Sequence, residues 1–371
     1  MMVTTGLIWH ERYMWHDTRH AAAAFPSGGW IEPDTHAENP LTKRRFKNLM
    51  DASGLTPQLR AVEPRMATVE EICRFHERAY VDLIKALSDD NGGDAGGLTP
   101  FGPGSYEIAL LAAGGVMAAC DAVLDGDAGN VYALVRPPGH HALAGEGMGF
   151  CLFGNVAIAA HHLRHERGLA RVAIVDWDVH HGNGTQSAFY GDPSVLTISL
   201  HQDGCFPLFS GAVEDNGEGA GAGANINIPL PRGGGRGAYV AAFERVVIPA
   251  LERFGPDFVI VANGLGAGAM DPLGRMQMHS DGYRELTRLI MGAADRLCEG
   301  RLVVEHEGGY SSAYVPFCGL AIVEELSGLA SGVEDPMLEF IRAQGGDGLS
   351  AQEDAAIAAC EPLVEKVPAP S

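Results

Sequence analysis

Residues 175–184, VDWDVHHGNG, place two aspartates and two histidines within six consecutive positions, directly after the apolar run RVAI. If a strand continues through this stretch, its period of two puts Asp176, Asp178 and His180 on one face. Carboxylates so close together on a buried face repel each other unless a cation neutralises them. Asp178 and His180 offer the mixed oxygen and nitrogen ligands that zinc accepts. The stretch therefore suggests a metal site, although a capping turn with satisfied core histidines is the commoner meaning of such a string taken alone.

Two further stretches carry groups suited to acid–base chemistry. RPPGHH, residues 136–141, supplies adjacent His140 and His141, and its prolines and glycine break strand regularity so that both rings could enter one pocket. Histidine is the natural general acid or base near neutral pH. EHEGGY, residues 305–310, brings Tyr310, whose hydroxyl could donate to a developing oxyanion. A solvated turn and a packed loop tyrosine are the alternatives. Together with a metal, these groups would suit attack of metal-bound water on an amide carbonyl.

A parallel sheet is the scaffold that would bring these stretches together. From about residue 105, segments of helical periodicity alternate with nearly continuous apolar runs, a pattern typical of an α/β fold whose sheet is covered on both faces. Ligands of such sheets bind in the crevice beyond the carboxyl ends of the strands. Asp281 is expected to begin a helix, and the glycine-rich residues 206–235 to form a loop at the mouth of the crevice. Five polar tails would meet there: RPPGHH, DWDVHHGNG, HQDGCFP, NGLGAG and EHEGGY.

Composition narrows the class of protein. The chain has 371 residues, 46% of them hydrophobic and 20% charged, and no composition shift divides it, so we expect one domain over 1–371. A net charge of −21 argues against nucleic-acid binding. The seven cysteines form no CxxC pair, no leader sequence is evident, and no run of about 18 apolar residues suggests a membrane span. We therefore expect a cytoplasmic protein.

The stretches that carry this chemistry also resemble a known family. The chain is similar to the histone deacetylase and acetylpolyamine amidohydrolase family, nearest to its bacterial class II-like members. The resemblance implies the arginase–deacetylase α/β fold, a central mostly parallel sheet flanked by helices, and zinc-dependent hydrolysis of an acyl amide such as acetyl-lysine, acetylpolyamine or a small synthetic amide. The matching stretches, in family order, are HAENP, GSYEIALLAAGG, RPPGHHA, GFCLFGNVAIAA, VDWDVHHGNGTQ, TISLHQ, DPLGRM and EGGYSSAYVPFC.

The resemblance also implies roles for individual residues. Asp178 and His180 match zinc ligands, His140 and His141 match the catalytic pair, and Tyr310 matches the tyrosine that polarises the carbonyl. The other matches are Phe150 and Phe206 in the acyl tunnel, Asp176 as the carboxylate that orients His140, Asn183 beside His141 as in the class II branch, and a structural K⁺ site made by Asp176, Ser199 and the carbonyls of Asp178, His180 and Leu200.

One position departs from the family pattern. The third zinc ligand is an aspartate five residues before the aspartate of DPLG, and ANGLGAGAMDPLG has Gly266 at that place. Glycine cannot bind a metal through a side chain. We favour an introduced substitution in an otherwise complete enzyme, because every other catalytic position is filled. The alternatives are a natural loss that leaves a binding protein, and completion of the site by Asp271 or a bound anion.

Two rival functions follow from this departure. One is a catalytically silent protein that binds a small molecule or a partner on the same scaffold. The other is a ureohydrolase-like enzyme with two manganese ions. Such a site needs more carboxylate ligands, and Asn183 and Gly266 stand at two of the candidate positions.

The family often has a carboxylate at the rim of the site that binds the backbone of the substrate. Asp94 is the only nearby candidate for this role.

The ends of the chain carry expectations of their own. Residues 1–40 contain a segment, 17–40, that resembles an extended amino-terminal loop packed between subunits in the bacterial relatives. We therefore expect a homo-oligomer, a dimer or a tetramer, that acts on a small-molecule amide, with neither nucleic acid nor membrane as a partner. Residues 350–371 are expected to be a tail with no chemical role.

Overall fold

The computed structural model describes residues 4–370. Its strands are β1 Gly6–Ile8, β2 His20–Ala22, β3 Phe25–Pro26, β4 Asp34–Thr35, β5 Arg60–Val62, β6 Gly93–Asp94, β7 Pro100–Phe101, β8 Val131–Ala133, β9 Val172–Asp176, β10 Val195–Gln202, β11 Asn225–Leu230, β12 Phe258–Asn263 and β13 Leu302–His306. Its helices are α1 Leu41–Ala52, α2 Val69–Ile72, α3 Arg78–Asp89, α4 Ser105–Leu124, α5 Asn155–His165, α6 Asn183–Phe189, α7 Arg236–Ala242, α8 Ile248–Phe254, α9 Ser280–Cys298, α10 Val315–Ser327, α11 Leu338–Arg342 and α12 Ala351–Val364, with a π-helical turn, Phe243–Val247, between α7 and α8.

The central element is an 8-stranded sheet in the order β11-β10-β9-β12-β13-β8-β1-β5. Every neighbouring pair in it is parallel, so the carboxyl ends of all its strands lie along one edge. The predicted α/β fold with a parallel central sheet is confirmed. The polar tails that follow these strands are therefore brought to one side of the molecule.

Both faces of the sheet are buried, which explains why its strands are apolar throughout. Along β9, Val172 and Ile174 belong to the core on one face, and Ala173 and Val175 belong to the core on the other. Helix α4 contacts β1, β8 and β13 on one of these faces. Among residues 4–370 it is the one helix long and apolar enough to cross a membrane, but 78% of its apolar window is buried inside the protein. The sequence predicted a helix here but not an apolar stretch of this length, and the helix is a core element.

The glycine-rich residues 206–235 are not one loop, as the sequence suggested. They contain β11, which pairs with β10 in the register Thr197↔Asn225 and forms an edge of the sheet. The edge position tolerates Pro229, because the outer side of an edge strand needs no donor. The expected tail after residue 350 is also structured: α12 begins with a capping box between Ser350 and Glu353 and packs against β11.

Two local expectations are wrong at their boundaries. Helix α9 begins at Ser280, and His279 rather than Asp281 caps it by accepting from the backbone N–H of Gly282. Strand β9 stops at Asp176, so the alternation expected through His180 does not hold. The reason lies in side chains that bond to the backbone two residues on: Asp176 Oδ1 accepts from Asp178 N at 2.9 Å, and Asp178 Oδ1 accepts from His180 N at 2.8 Å.

A buried ion cluster ties the amino-terminal segment to the RPPGHH stretch. Glu38 Oε1 accepts from Lys43 Nζ at 2.9 Å and from Arg136 Nε at 2.9 Å, and all three side chains are fully buried. Arg136 also donates to the carbonyls of Tyr13 and His16. The residues that precede the histidine pair are therefore fixed by charge as well as by packing.

Replacing Glu38 by glutamine should destabilise the fold by roughly 3–5 kcal/mol, because two buried cations lose their carboxylate. Urea unfolding followed by circular dichroism measures the change. The matched control is Asp51→Asn, which breaks an ion pair whose Asp51 side chain is 48% exposed and should change stability by less than about 0.5 kcal/mol. Equal losses in the two variants would contradict an anchoring role for the buried cluster.

Candidate active site

A cavity of about 240 Å³ opens at the carboxyl edge of the sheet. Its polar groups are His141, His180 and Tyr310, which come from three of the five predicted tails. A fourth tail supplies Phe206, and the fifth, NGLGAG, lies behind the cavity, where a Cβ at Gly264 would lie 1.5 Å from Asp178 Oδ2. The sequence thus predicted which stretches converge. The remaining wall is formed by Ala24, Phe25, Leu98, Gly149, Phe150, Cys205 and Leu273.

The histidine pair is held by two side-chain acceptors. His140 Nδ1 lies 2.8 Å from Asp176 Oδ2, and His141 Nδ1 lies 2.7 Å from Asn183 Oδ1. The two ring centroids are 3.9 Å apart, and each side chain is only 3% exposed. Because Asn183 Oδ1 accepts, the proton of neutral His141 sits on Nδ1 and its Nε2 is left as an acceptor.

The two histidines differ in charge. Burial alone lowers the pKa of His140, but the carboxylates of Asp176 and Glu307 raise it to about 9. Burial lowers the pKa of His141 well below its usual value, and the charge of His140 lowers it further. At neutral pH the His140–His141 pair therefore contains one imidazolium, paired with Asp176, and one neutral imidazole at the cavity wall.

Tyr310 is positioned by Asp271. Its backbone N–H donates to Asp271 Oδ2 at 2.7 Å, while Asp271 Oδ1 accepts from the N–H groups of Leu273 and Gly274. Burial raises the pKa of Tyr310 well above its usual value, so the hydroxyl stays a donor. Both oxygens of Asp271 are engaged by the backbone, which favours the stabilisation of its own loop over completion of the metal site.

The donor set falls short of a zinc site. Structural and catalytic zinc ions in proteins are held by at least three protein ligands. Asp178 Oδ1 lies 3.0 Å from His180 Nδ1, and Asp178 Oδ2 is buried without a hydrogen-bond partner, as expected for a ligand atom. Gly266 adds nothing, and within residues 4–370 no group of three His, Cys, Asp or Glu side chains could hold a metal. The residues present do not fit a resident zinc ion.

The backbone at Gly266 nevertheless faces the site. A Cβ added there would lie 3.9 Å from Asp178 Oδ1, which is the side on which a third ligand is needed. The same Cβ would lie 2.6 Å from Val179 Cγ1, so the valine side chain occupies the space of the missing aspartate. A carboxylate at this position requires Val179 to rotate.

Two of the residues matched to a potassium site border a second, much smaller cavity, whereas Asp178, His180 and Leu200 do not line it. Asp176 and Ser199 line a cavity of about 10 Å³, which is roughly the size of one water molecule or ion. Ser199 Oγ accepts from Gly182 N at 3.3 Å and lies 2.9 Å from His201 Nδ1. Leu200, whose carbonyl was matched to the same K⁺ site, is the next residue after Ser199 on β10. The polar lining is compatible with a monovalent cation, and the K⁺ assignment stays a prediction.

Several wall residues escaped the sequence reasoning. Phe25 and Leu98 line the cavity although they lie in none of the quoted stretches, and Cys205 and Leu273 lie in HQDGCFP and DPLGRM but were given no role. Leu98 and Phe150 hold positive φ angles of 66° and 73°, a strained conformation that concentrates at functional sites but is invisible in a single sequence. Asp94, the candidate rim carboxylate, instead accepts from the N–H groups of its own loop, at Gly96 and Thr99.

Comparison with known proteins agrees with this geometry. Residues 36–326 match the model of the histone deacetylase domain. The chain is 53% identical over 343 residues to a histone deacetylase-like amidohydrolase of Pseudomonas aeruginosa, covering 92% of this chain and 90% of the relative. It is 35% identical to a probable deacetylase of Archaeoglobus fulgidus, covering 90% and 89%. Among solved structures, an HDA15 HD domain superposes with a TM-score of 0.80 at 32% identity, covering 99% of both chains.

Replacing Asp271 by alanine should destabilise the protein by about 1–3 kcal/mol, because buried backbone donors lose their acceptor. It should also increase hydrogen exchange at Tyr310 N–H, measured by NMR or mass spectrometry. Asp94→Ala is the matched control, since Asp94 also accepts from backbone amides, two where Asp271 accepts from three, but in an exposed loop where water replaces it. Unchanged exchange at Tyr310 in the Asp271 variant would show that this carboxylate does not position the tyrosine.

Proposed function

Because the chain belongs to the histone deacetylase family, whose named relatives are amide hydrolases, we propose that its cavity binds an acyl amide of a primary amine and that Gly266 impairs the hydrolysis of that amide. The observation that carries the proposal is the convergence of His141, His180 and Tyr310 on one cavity with aromatic walls. These groups come from three chain segments far apart in sequence. Their meeting is hard to explain by packing alone.

The chain's own residues supply binding and proton transfer. The Tyr310 hydroxyl is suited to donate to the amide oxygen, because its raised pKa keeps the proton in place. The Nε2 of neutral His141 is the available proton acceptor for an attacking water, and Asn183 fixes that tautomer. His140, protonated and held by Asp176, is suited to donate a proton to the leaving amine.

The apolar walls of the cavity favour a substrate with a slender, apolar chain next to its acyl amide. Phe150 and Phe206 line the cavity together with Leu98 and Leu273, and no Asp or Glu side chain lies among the lining residues. An acetyl-lysine side chain, an acetylpolyamine or a small synthetic amide has the required shape. The net charge of −21 favours a substrate whose free end is cationic. Without a lining carboxylate at the rim, we expect little selection for a peptide backbone.

The alternative is a catalytically silent binding protein. The missing ligand at Gly266 and the valine side chain that fills its place support it. A ureohydrolase-like site with two manganese ions has less support, because it would need several carboxylate ligands. Asn183 has an amide instead of a carboxylate, and Asp176 and Asp178 are the only acidic side chains among the residues matched to the family site. Restoring a ligand at position 266 separates the first alternative from the hydrolase.

The substitution Gly266→Asp should raise zinc content, measured by atomic emission after purification, from well below one ion to about one ion per chain. Hydrolysis of a fluorogenic acetyl-lysine amide should rise by more than about 100-fold, since even an outer partner of a metal ligand is worth about 10–100-fold. Because Val179 obstructs the new side chain, the double variant Gly266→Asp with Val179→Ala is measured in parallel.

Gly266→Asn is the matched control, since asparagine has nearly the same size as aspartate but no charge. Its zinc content and its rate of hydrolysis should both stay below those of the aspartate variants. If both aspartate variants remain without zinc and without hydrolysis while staying folded, the hydrolase proposal fails and the silent binding protein is left.

We also propose that the chain forms a homo-oligomer, a dimer or tetramer, in a reducing compartment such as the cytoplasm. The large side chains of Phe25 and Trp30 in the amino-terminal segment are 62% and 104% exposed, which is costly for a monomer. All seven cysteines are free thiols. Light scattering after size exclusion should give a multiple of 39.2 kDa. A single species at the monomer mass would contradict the oligomer.

A further inference from the structure

Two glutamates lie at the end of β13, Glu305 within the strand and Glu307 directly after it. Glu305 and Glu307 are separated by two positions, and both are fully buried, with 0% exposure. Within residues 4–370 neither forms a salt bridge with a lysine or an arginine, and the buried cations Lys43 and Arg136 are engaged by Glu38. A pair of buried carboxyl groups without a counter-cation is costly unless a proton or a partner compensates it.

The hydrogen bonds of this pair lead to the histidine stretch. Glu307 Oε2 accepts from Gly139 N at 2.6 Å and from His140 N at 3.2 Å. Glu305 Oε1 accepts from Asn155 Nδ2 at 3.2 Å, and the same amide group donates to Pro137 O at 3.0 Å. Through these hydrogen bonds the carboxyl pair and Asn155 fix the position of the backbone of residues 137–140.

One oxygen of each carboxyl group has no partner. Glu305 Oε2 and Glu307 Oε1 are both buried without a hydrogen bond. Two ionised carboxylates cannot be neighbours in a buried site, but one proton satisfies both oxygens, with Glu305 donating to Glu307. Burial raises the pKa of Glu305 well above its usual value, and the Glu307 charge raises it further.

We propose that Glu305 and Glu307 share one proton, and that Glu307 is thereby a positioning residue that fixes the main chain of Gly139 and His140. The remaining negative charge of the pair faces protonated His140. The other titratable groups around the pair are Tyr132 on β8, Asp176 on β9 and Cys151 in the loop before α5. None of these three supplies a positive charge, and His140 is paired with Asp176, so the shared proton is what removes one of the two charges of the pair.

The shared proton makes stability depend on pH. A carboxyl group whose folded pKa is raised contributes its full stability below the unfolded pKa of about 4.3. That contribution is lost as pH rises from there through the folded pKa, since unfolding then releases a proton. Glu305→Gln keeps a donor toward Glu307 at every pH, so the variant escapes this loss.

The first experiment compares the full-length protein with Glu305→Gln in urea unfolding at pH 5 and pH 9. The urea midpoint of the variant minus that of the unchanged chain should be larger at pH 9 than at pH 5. Infrared difference spectra at neutral pH should show the carbonyl band of a buried protonated carboxyl group, and Glu305→Gln should remove it. Absence of that band in the unchanged chain would overturn the shared proton.

The second experiment tests positioning through hydrogen exchange of the Gly139 and His140 amides. Glu307→Gln retains an acceptor oxygen for both amides and should keep their protection, whereas Glu307→Ala should accelerate their exchange at least tenfold. Glu353→Ala is the control, because it removes a largely buried carboxylate that accepts from a backbone amide in α12, far from the site. Unchanged exchange at both amides in Glu307→Ala would overturn the positioning role. Should that variant fail to fold, loss of protection in Glu307→Gln would count against the proposal and retention in its favour.

Discussion

The buried negative charge at the carboxyl edge of the sheet is the constraint on which the site depends. Asp176, Asp178, Glu305 and Glu307 are nearly or fully removed from water at the ends of strands β9 and β13, which lie on either side of β12 in the sheet. Each such charge must be paired, protonated or bound to a cation. Three features compensate this buried charge separately. They are the protonation of His140, the contact of Asp178 with His180, and the proton assigned to the glutamate pair.

The same constraint explains why Gly266 matters. Asp178 Oδ2 is a buried carboxylate oxygen without a partner, an arrangement that is costly unless a cation is present. With a glycine opposite and Val179 packed into the vacated space, the chain retains the demand for a cation but not the ligands to hold a zinc ion. The histidines, the tyrosine and the aromatic walls hold their positions without a side chain at residue 266, so the cavity and the set of metal ligands are separate features of the structure.

Much of the site could be predicted from local sequence. The tails after β8, β9, β10 and β13 contain the histidines, the aspartates and Tyr310, and parallel strands necessarily deliver such tails to one edge. Residues without a chemical signature could not be found in this way. Phe25 and Leu98 reach the wall because distant loops fold over the cavity, and Glu307 acts through a backbone contact with residues far away in sequence.

Sequence patterning by itself determined the fold class and the stretches that converge, because apolar runs, polar tails and residue types are local properties, whereas the departure at Gly266 was inferred from the family resemblance. It misjudged β9 beyond Asp176, the strand β11 and the helix α12, where side-chain capping and burial against the sheet override local composition. Only the tertiary structure decided which carboxyl groups lie side by side, that Asp271 is committed to the backbone, and that Val179 fills the place beside Gly266. These are relations between segments remote in sequence, and distances of a few ångströms between them are set by packing rather than by any local pattern.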